Sequence, residues 1–466
     1  MSTSTNTGVD AVAELRRIAG GARIASGADI PPHNLADARL GMAPGELPLA
    51  VAFPGTTEEL AAIVRFCHAR RIPVVPQGGL TGLSGGGVPL PGSVAIALDR
   101  FNRIEEIDTA AATMTVGAGV PLEIVQREAD KAGFLFATDL GARGSARIGG
   151  NVSTNAGGNR VVRFGMTRAS VLGMEVVLAD GTVVTALNKM LKDNAGYDLK
   201  QLFIGSEGTL GIITRVVLRL IPKPRSVSTA FCGLASFDKV LELLARARAE
   251  LGETLGAFEG MWPEFYRMAV EGGGKPPPLA GKHAIYVLVE ALGSDPTRDA
   301  DRFGEFLERA LTGEIIEDAV VAQSEAERLQ IWGIRDSSGE FLRTLGEHVG
   351  FDVSVAIGDT GAFVEDLAVR FAMALPETKP IFFGHVADGN LHIELTVKDG
   401  DAGAAVSEIV YDATRDWHGS VSAEHGIGTL KKKWLAHTRS PAEIALMRTI
   451  KAALDPDNIL NPGKIL

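Results

Sequence analysis

Two cysteines in 466 residues, Cys67 and Cys232, are too few for a disulfide framework, and neither stands in a CxxC or other metal-type spacing. A reducing compartment suits such a chain. Basic residues are in the minority: 46 Lys and Arg face 57 Asp and Glu, a formal net charge of −11. That balance excludes an extended nucleic-acid surface, which needs a concentrated basic face. The one dense cationic run, Lys431-Lys432-Lys433, reads as a solvated helix face. No uninterrupted apolar stretch approaches the ~18 residues a membrane-spanning helix needs, so no transmembrane segment is expected. The N-terminus, MSTSTNTGVDAVAELRRIAGG, lacks the apolar stretch of a secretory signal, which makes the cytoplasm the expected location. Peripheral membrane contact and a homodimer stay open.

What the chain does have is an ordinary globular composition, 45% hydrophobic and 22% charged, at a length where a single core gives way to several domains. After an amphipathic helix at Asp10 to Ile18, the segment Leu47 to Ile221 alternates short apolar runs with glycine-rich turns. Leu60 to His68 carries apolar residues at helical spacing and Ile72 to Pro76 follows as a strand. Further strands are expected at Val94 to Leu98, Ile104 to Asp108, Met114 to Val116, Gly173 to Leu178 and Thr209 to Leu220. Their spacing is too short for a parallel βαβ repeat. Ile221-Pro222-Lys223-Pro224-Arg225 is a linker, since each proline removes a backbone donor. Beyond it, helices at Phe237 to Leu251, capped by Ser236, and Asp299 to Leu311, with a strand at His283 to Glu290, announce a second α+β domain.

Gln77-Gly78-Gly79-Leu80-Thr81-Gly82-Leu83-Ser84-Gly85-Gly86-Gly87 directly follows a strand, where small residues leave backbone N–H groups able to converge on an anion. Its spacing is neither GxGxxG nor GxxxxGK[ST], and alone it also reads as a flexible surface loop. Three more loops share the domain: Asp139-Leu140-Gly141, Gly149 to Gly158, and Gly205 to Gly211. Four such loops suggest a long, bent dinucleotide, with Asn151, Ser153, Thr154 and Asn155 able to bond ring edges.

A second kind of site stands in Gly384 to Leu395. A turn at Asp388-Gly389-Asn390 lets His385 and His392 meet across a hairpin, because their odd separation would otherwise aim them at opposite faces. His392 and Glu394 share a face by the period of two. Glu424, followed by His425, is the third candidate ligand; two imidazoles and one carboxylate leave coordination positions open, as a catalytic metal needs. On spacing alone, hydrogen-bonded core or surface histidines account for the pattern as well.

The stretches DLGARGSARIGGNVSTNAGG and KDNAGYDLKQLFIGSEGTLGIIT, with the tail LDPDNILNPGKIL, closely resemble the vanillyl-alcohol oxidase type flavoproteins, and within them the D-2-hydroxyglutarate and D-lactate dehydrogenase branch. The likeness runs from about residue 47 to the end. It implies an α+β protein: a vanillyl-alcohol oxidase type FAD-binding domain with the N-terminal helix (1–222), a substrate-binding α+β domain (223–420), and a short C-terminal segment returning to the active site (421–466). It implies FAD contacts at Gln77, Gly78, Gly79, Leu80, Thr81, Gly82, Leu83, Asp139, Leu140, Ser145, Gly149, Gly150, Asn151, Ser153, Thr154, Asn155, Gly157, Glu207, Gly208, Gly211, Ile212 and Asn461. Relatives that tether FAD covalently carry a His where this chain has Leu80, so non-covalent FAD is expected. The resemblance also implies that His385, His392 and Glu424 hold a divalent metal, best zinc, that His425 takes the substrate proton, and that Arg335, Asn390 and Glu394 line the substrate.

The chemistry so implied is oxidation of a D-2-hydroxy acid, its hydroxyl proton removed and its Cα hydride passed to flavin N5, with electrons going on to an electron-transfer flavoprotein or quinone. Three positions depart from the hydroxyglutarate pattern: Gly339, Gly350 and Glu394 stand where those relatives carry Thr, Lys and Asn. Losing a cation and gaining a carboxylate predicts a substrate with a neutral tail, such as D-lactate, with D-2-hydroxyglutarate as the alternative. Arg343 or His348 could stand in for the missing Lys. Rival readings are a metal-dependent hydrolase, which would be colourless, a non-catalytic nucleotide-binding subunit, and an oxygen-reactive oxidase.

Overall fold

The computed structural model describes residues 4–19, 23–340, 345, 348–396 and 402–466. The chain forms two compact units: the first contains residues 1–157, 166–223 and 424–466, the second 158–165 and 224–423.

In the first unit, a helix at Ser4–Ala19 spans the expected Asp10 to Ile18 and extends it at both ends. The helix Thr57–Arg70 begins where the Thr56 side chain accepts from Glu59 N, and ends at Arg71 in the left-handed region, φ 54°. Its Leu60, Ile63, Val64 and Cys67 recur at helical spacing and are buried in the core. Strands β1 (Ile24–Ala25), β2 (Ala50–Ala52), β3 (Val74–Gln77) and β4 (Val94–Ala97) form a four-stranded sheet in the order β1-β2-β4-β3. Only the β1–β2 pair is antiparallel. A second sheet, wholly antiparallel, joins β5 (Ile104–Asp108), β6 (Thr113–Gly117), β8 (Val171–Val177), β9 (Val183–Ala186) and β10 (Ile212–Arg219) in the order β5-β6-β10-β8-β9. The short β7 (Phe134–Leu135) and β11 (Ile221–Pro222) pair with each other.

The C-terminal segment belongs to this unit. The helix Pro441–Leu454 starts with a capping box between Ser440 and Glu443, and the chain then runs beside β3, where Val74 N donates to Ile459 O and Asn461 N to Val74 O.

The second unit is built on a seven-stranded antiparallel sheet of β12 (Ser226–Leu234), β13 (Leu255–Met261), β14 (Ile285–Gly293), β15 (Asp318–Val321), β16 (His348–Ser354), β17 (Ile381–His385) and β18 (Asn390–Thr396), ordered β15-β12-β14-β13-β17-β18-β16. The period of two sorts its side chains between two cores. Ile285, Val287, Val289 and Ala291 pack with the helices Phe237–Leu251 and Pro296–Thr312, whereas Tyr286 and Leu288 pack with Phe265, Ile331, Trp332 and Ile334 on the other face. Both faces covered explains why β14 reads as a continuous apolar run. Truncating one fully buried ring such as Phe306 to Ala would cost about 3–5 kcal/mol.

Candidate active site

In the first unit the glycine loops meet. A Cβ on Gly79 would lie 2.0 Å from Ser145 O, and one on Gly78 3.5 Å from Gly150 Cα. The bend after Gly79 puts Leu80 in the left-handed region, φ 54°. Gln77 at the end of β3 is buried and fully engaged: Nε2 donates to Asn34 O (2.8 Å) and Gly87 O (2.9 Å), and Oε1 accepts from Asn34 Nδ2. It closes the loop on itself. Beyond it Thr81 is half-buried, and Gly82 and Leu83 are exposed.

The helix Ile148–Ser153 presents the surface these loops share. Gly149 is pressed against Ala118, but a Cβ on Gly150 would meet nothing within 4 Å among the described residues. Beside it the Asn151 side chain is 5% exposed, and its Nδ2 has no hydrogen-bond partner among the described residues. A buried amide donor left over, next to a backbone with room in front of it, fits a dinucleotide cofactor. Ser153 O accepts from Glu207 N (2.8 Å), Thr154 Oγ1 donates to Gly150 O, and Asn155 Oδ1 accepts from Arg168 N, which ties these residues into the loop framework.

Several other predicted cofactor residues also shape the framework. Glu207, at φ 51°, accepts from Ile427 N (2.7 Å) and Gly428 N (2.8 Å), so it clamps the segment carrying Glu424 and His425. Burial nevertheless pushes its carboxyl upward. Asn461 Nδ2 donates to Gly86 O and Glu207 O. Gly157 leaves the space that the Glu424 carboxylate occupies, since a Cβ there would come 2.2 Å from Oε1. Gly208 packs on Pro76, Gly211 on Val176 and Phe203, and Ile212 is buried in β10. Asp139 holds Arg143 (3.2 Å) and Leu140 leans on the core. Lys464 was not legible as a participant: its Nζ donates to Gly85 O, Val88 O and Thr429 Oγ1, stapling the first glycine loop to the tail.

In the second unit β17 and β18 form the expected hairpin, closed by the turn Val386–Asp388 and by Gly389 at φ 80°. His385 and His392 come together across it, ring centroids 5.4 Å apart and planes at 80°. His392 stacks on Phe383 at 4.9 Å. Opposite His385 in the neighbouring strand β13 is Glu259, whose Oε1 lies 2.8 Å from His385 Nδ1, while Oε2 accepts from Arg335 Nε at 2.7 Å. Arg335 also lies over the Phe383 ring, 4.9 Å to its centroid. All three ionisable residues are buried, with exposures of 1% for Glu259, 4% for Arg335 and 5% for His385. Burial alone would raise the Glu259 carboxyl, but His385 and then Arg335 hold it below the usual carboxylate range.

Arg335 ends the helix Glu325–Arg335, which is anchored one and two turns earlier. Trp332 Nε1 (2.7 Å) and Arg328 Nη1 (3.3 Å) both donate to Glu290, a fully buried carboxylate on β14 that also accepts from Arg160 and Thr229. Asn390 Nδ2 donates to Asp352 Oδ1 (2.8 Å) and Val353 O, and its buried Oδ1 has no hydrogen-bond partner among the described residues. Glu394 faces Gly350 across the β16–β18 pair, its carboxylate where a Cβ on Gly350 would come within 2.6 Å. His348 Nε2 lies 3.6 Å from Glu394. A Cβ on Gly339 would meet nothing within 4 Å among the described residues, and Arg343 lies outside them. The last stretch of the unit pairs Ser420 with Ser354, and Ser422 Oγ donates to Asp352 Oδ2. Glu424 follows two residues later in the chain.

Sequence reasoning missed Glu259, Asp352 and Glu290. The only available signal was a charged residue inside an apolar strand run, as in Leu255 to Met261.

Residues 223–465 match the FAD linked oxidases, C-terminal domain family, and residues 48–187 match the FAD binding domain family. A protein of Bos taurus named D-2-hydroxyglutarate dehydrogenase, mitochondrial, is 40% identical over 460 residues, covering 98% of this chain and 83% of its own length. A D-2-hydroxyglutarate dehydrogenase of Xanthomonas citri is 40% identical over 425 residues, covering 90% of this chain and 89% of its own. Among solved structures, 4-ethylphenol oxidase from Gulosibacter chungangensis superposes with a TM-score of 0.78 at 19% identity, covering 100% of this chain and 98% of its own, which shows a shared fold.

Proposed function

Since the chain belongs to the FAD-linked oxidase family, in its branch of FAD-dependent D-2-hydroxy acid dehydrogenases, we propose that it oxidises D-2-hydroxyglutarate to the 2-oxo acid with the help of a divalent metal at His385, His392 and Glu424. This reverses the neutral-tail expectation drawn from Gly339, Gly350 and Glu394. Relatives at 40% identity over most of the chain carry the hydroxyglutarate name, and that weighs more than three positions. D-Lactate is kept as the second reading by one observation, the Glu394 carboxylate standing over Gly350 where a cation was expected.

The observation that carries the reading is the pair of histidines closed across the β17–β18 hairpin beside a buried arginine. Two imidazoles and a carboxylate suit zinc with open positions left for substrate. When bound, FAD accepts the electron pair from the substrate carbon, and the metal ion lowers the pKa of its hydroxyl. Arg335 is matched by shape and charge to a carboxylate, which it would orient through two parallel N–H bonds. His425 would take the hydroxyl proton at an imidazole nitrogen. Neighbouring residues point in different directions, so Glu424 can serve the metal while His425 serves the substrate. Leu80 in place of a tethering His supports FAD held without a covalent bond, and two buried free thiols suit a reducing compartment such as the cytoplasm. Electrons would leave to an electron-transfer flavoprotein or a quinone.

The test is the visible spectrum of the purified protein under anaerobic titration with D- and L-2-hydroxyglutarate and D-lactate, with and without prior chelation. Bleaching of the yellow colour by the D-enantiomer alone, lost on chelation, is expected. A higher kcat/KM for D-lactate than for D-2-hydroxyglutarate would overturn the substrate assignment. Arg335→Met should lower kcat/KM by roughly 10- to 100-fold, and His425→Ala should lower kcat by about 100- to 10,000-fold.

A further inference from the structure

We propose that Glu259 is a positioning residue that fixes both the tautomer of His385 and the aim of Arg335. The proposal rests on the reading of His385 as a metal ligand.

Glu259 stands in the centre of the sheet, on β13 between β14 and β17, directly opposite His385 in the strand register. Its two oxygens are divided between two partners, Oε1 to His385 Nδ1 at 2.8 Å and Oε2 to Arg335 Nε at 2.7 Å. A guanidinium 4% exposed needs a counter-charge, and Glu259, 1% exposed, supplies it as a carboxylate. A carboxylate only accepts hydrogen bonds, so the ring atom facing it must be Nδ1–H. The imidazole lone pair is then at Nε2, on the far side of the ring from Glu259. A carboxylate behind a histidine sets which nitrogen can serve a metal and makes it a stronger ligand.

The same carboxylate restrains Arg335. With Nε held by Glu259 and Cζ 4.9 Å from the centroid of the Phe383 ring, the guanidinium is restrained at two points, which limits where its remaining N–H groups can turn. One side chain thereby couples the orientation of the arginine expected to grip substrate to that of a histidine expected to hold the ion. Helix and strand bring these residues together from positions 76 and 126 apart in sequence.

Glutamine tests this at nearly constant shape. Its single oxygen can accept from Arg335 or from His385 but not with the same two-sided geometry, and its NH2 donates to Nδ1, which drives the ring proton to Nε2. Zinc affinity is measured on flavin-loaded protein by competition with a chromophoric chelator, for wild type, Glu259→Gln, Glu259→Asp and His392→Ala. Expected is a 10- to 100-fold loss of zinc affinity in Glu259→Gln, with the ratio of FAD to protein unchanged, and partial retention in Glu259→Asp. Equal affinity in wild type and Glu259→Gln, with His392→Ala weakened, would overturn the proposal while leaving the metal reading intact. Wild-type affinity that His392→Ala leaves unchanged would overturn the metal reading and the proposal together. Should Glu259→Gln not fold, the double variant Glu259→Met, Arg335→Met removes both buried charges at similar volume. It is expected to retain FAD and still bind zinc weakly; wild-type zinc affinity in it would overturn the proposal.

Discussion

Cys67 lies on the buried face of the helix Thr57–Arg70 and Cys232 within β12, and burial pushes both thiols up to about 12. At pH 8 almost none of either is thiolate, the reactive form. A thiol reagent added to the folded protein should therefore label neither residue, and after denaturation it should label two per chain. Asp299 shows the opposite displacement: bonds from Ser226 Oγ and from backbone N–H groups, including that of Asp295, hold its carboxyl below the ordinary 3.8. Its contribution to stability is present above the unfolded value and is lost as pH falls through the lowered folded one. Asp299→Asn should accordingly lower Tm at pH 7, and the gap to wild type should close as the pH falls through the lowered folded value. Residues of this kind also mark how far the sequence could be read. His385 and His392 could be paired in the sequence because a short turn joins them, whereas Arg335 was singled out by the family resemblance alone. Glu259 was not, since a lone glutamate in an apolar strand gives no sign of partners 76 and 126 residues away.

Two glycines of the proposed flavin-binding loops, Gly79 and Gly150, separate folding from binding. Gly79 has Ser145 O 2.0 Å from where its Cβ would be, so Gly79→Ala must force the two loops apart and should reduce both FAD content and Tm. Gly150 faces open space within a helix, where alanine is intrinsically better than glycine by roughly 0.5–1 kcal/mol. Gly150→Ala should keep or raise the Tm of flavin-free protein while weakening FAD, as judged by fluorescence titration. Equal FAD affinity would show that no ligand approaches this face. The helix Phe237–Leu251 was legible to its last residue because Ser236 caps it and its apolar stripe repeats every three to four positions. The strand expected from His283 begins instead at Ile285. His283 Nδ1 pairs with Glu317 (2.7 Å) and the backbone N–H of His283 donates to the Tyr286 hydroxyl. Such side-chain pairing is set by the folded neighbourhood and cannot be read from alternation.

The polypeptide passes between its two units at 157/158, 165/166, 223/224 and 423/424, so neither is a continuous stretch of sequence. The proline-rich linker after Ile221 marks one of these passages, and the others have no such punctuation. The excursion 158–165 carries Arg160, which reaches Glu290 at 2.9 Å, and this small insertion was invisible to composition. A fragment ending at residue 223 would lack the tail that bonds to the free side of β3 and to the first glycine loop. Expressed alone it should aggregate through that bare strand and hold no flavin, which size exclusion and absorbance at the flavin band would report.

The tail's hold on β3 also fixes an order of events during synthesis. The partners of Val74, residues Ile459 to Asn461, leave the ribosome about 240 positions after Pro222, the end of the last strand of the first unit. At about 5–20 residues per second that is a delay of roughly 12–50 s. Throughout it the nascent chain carries an open strand and an unfastened loop, and the second unit has time to fold before the first can close around its cofactor.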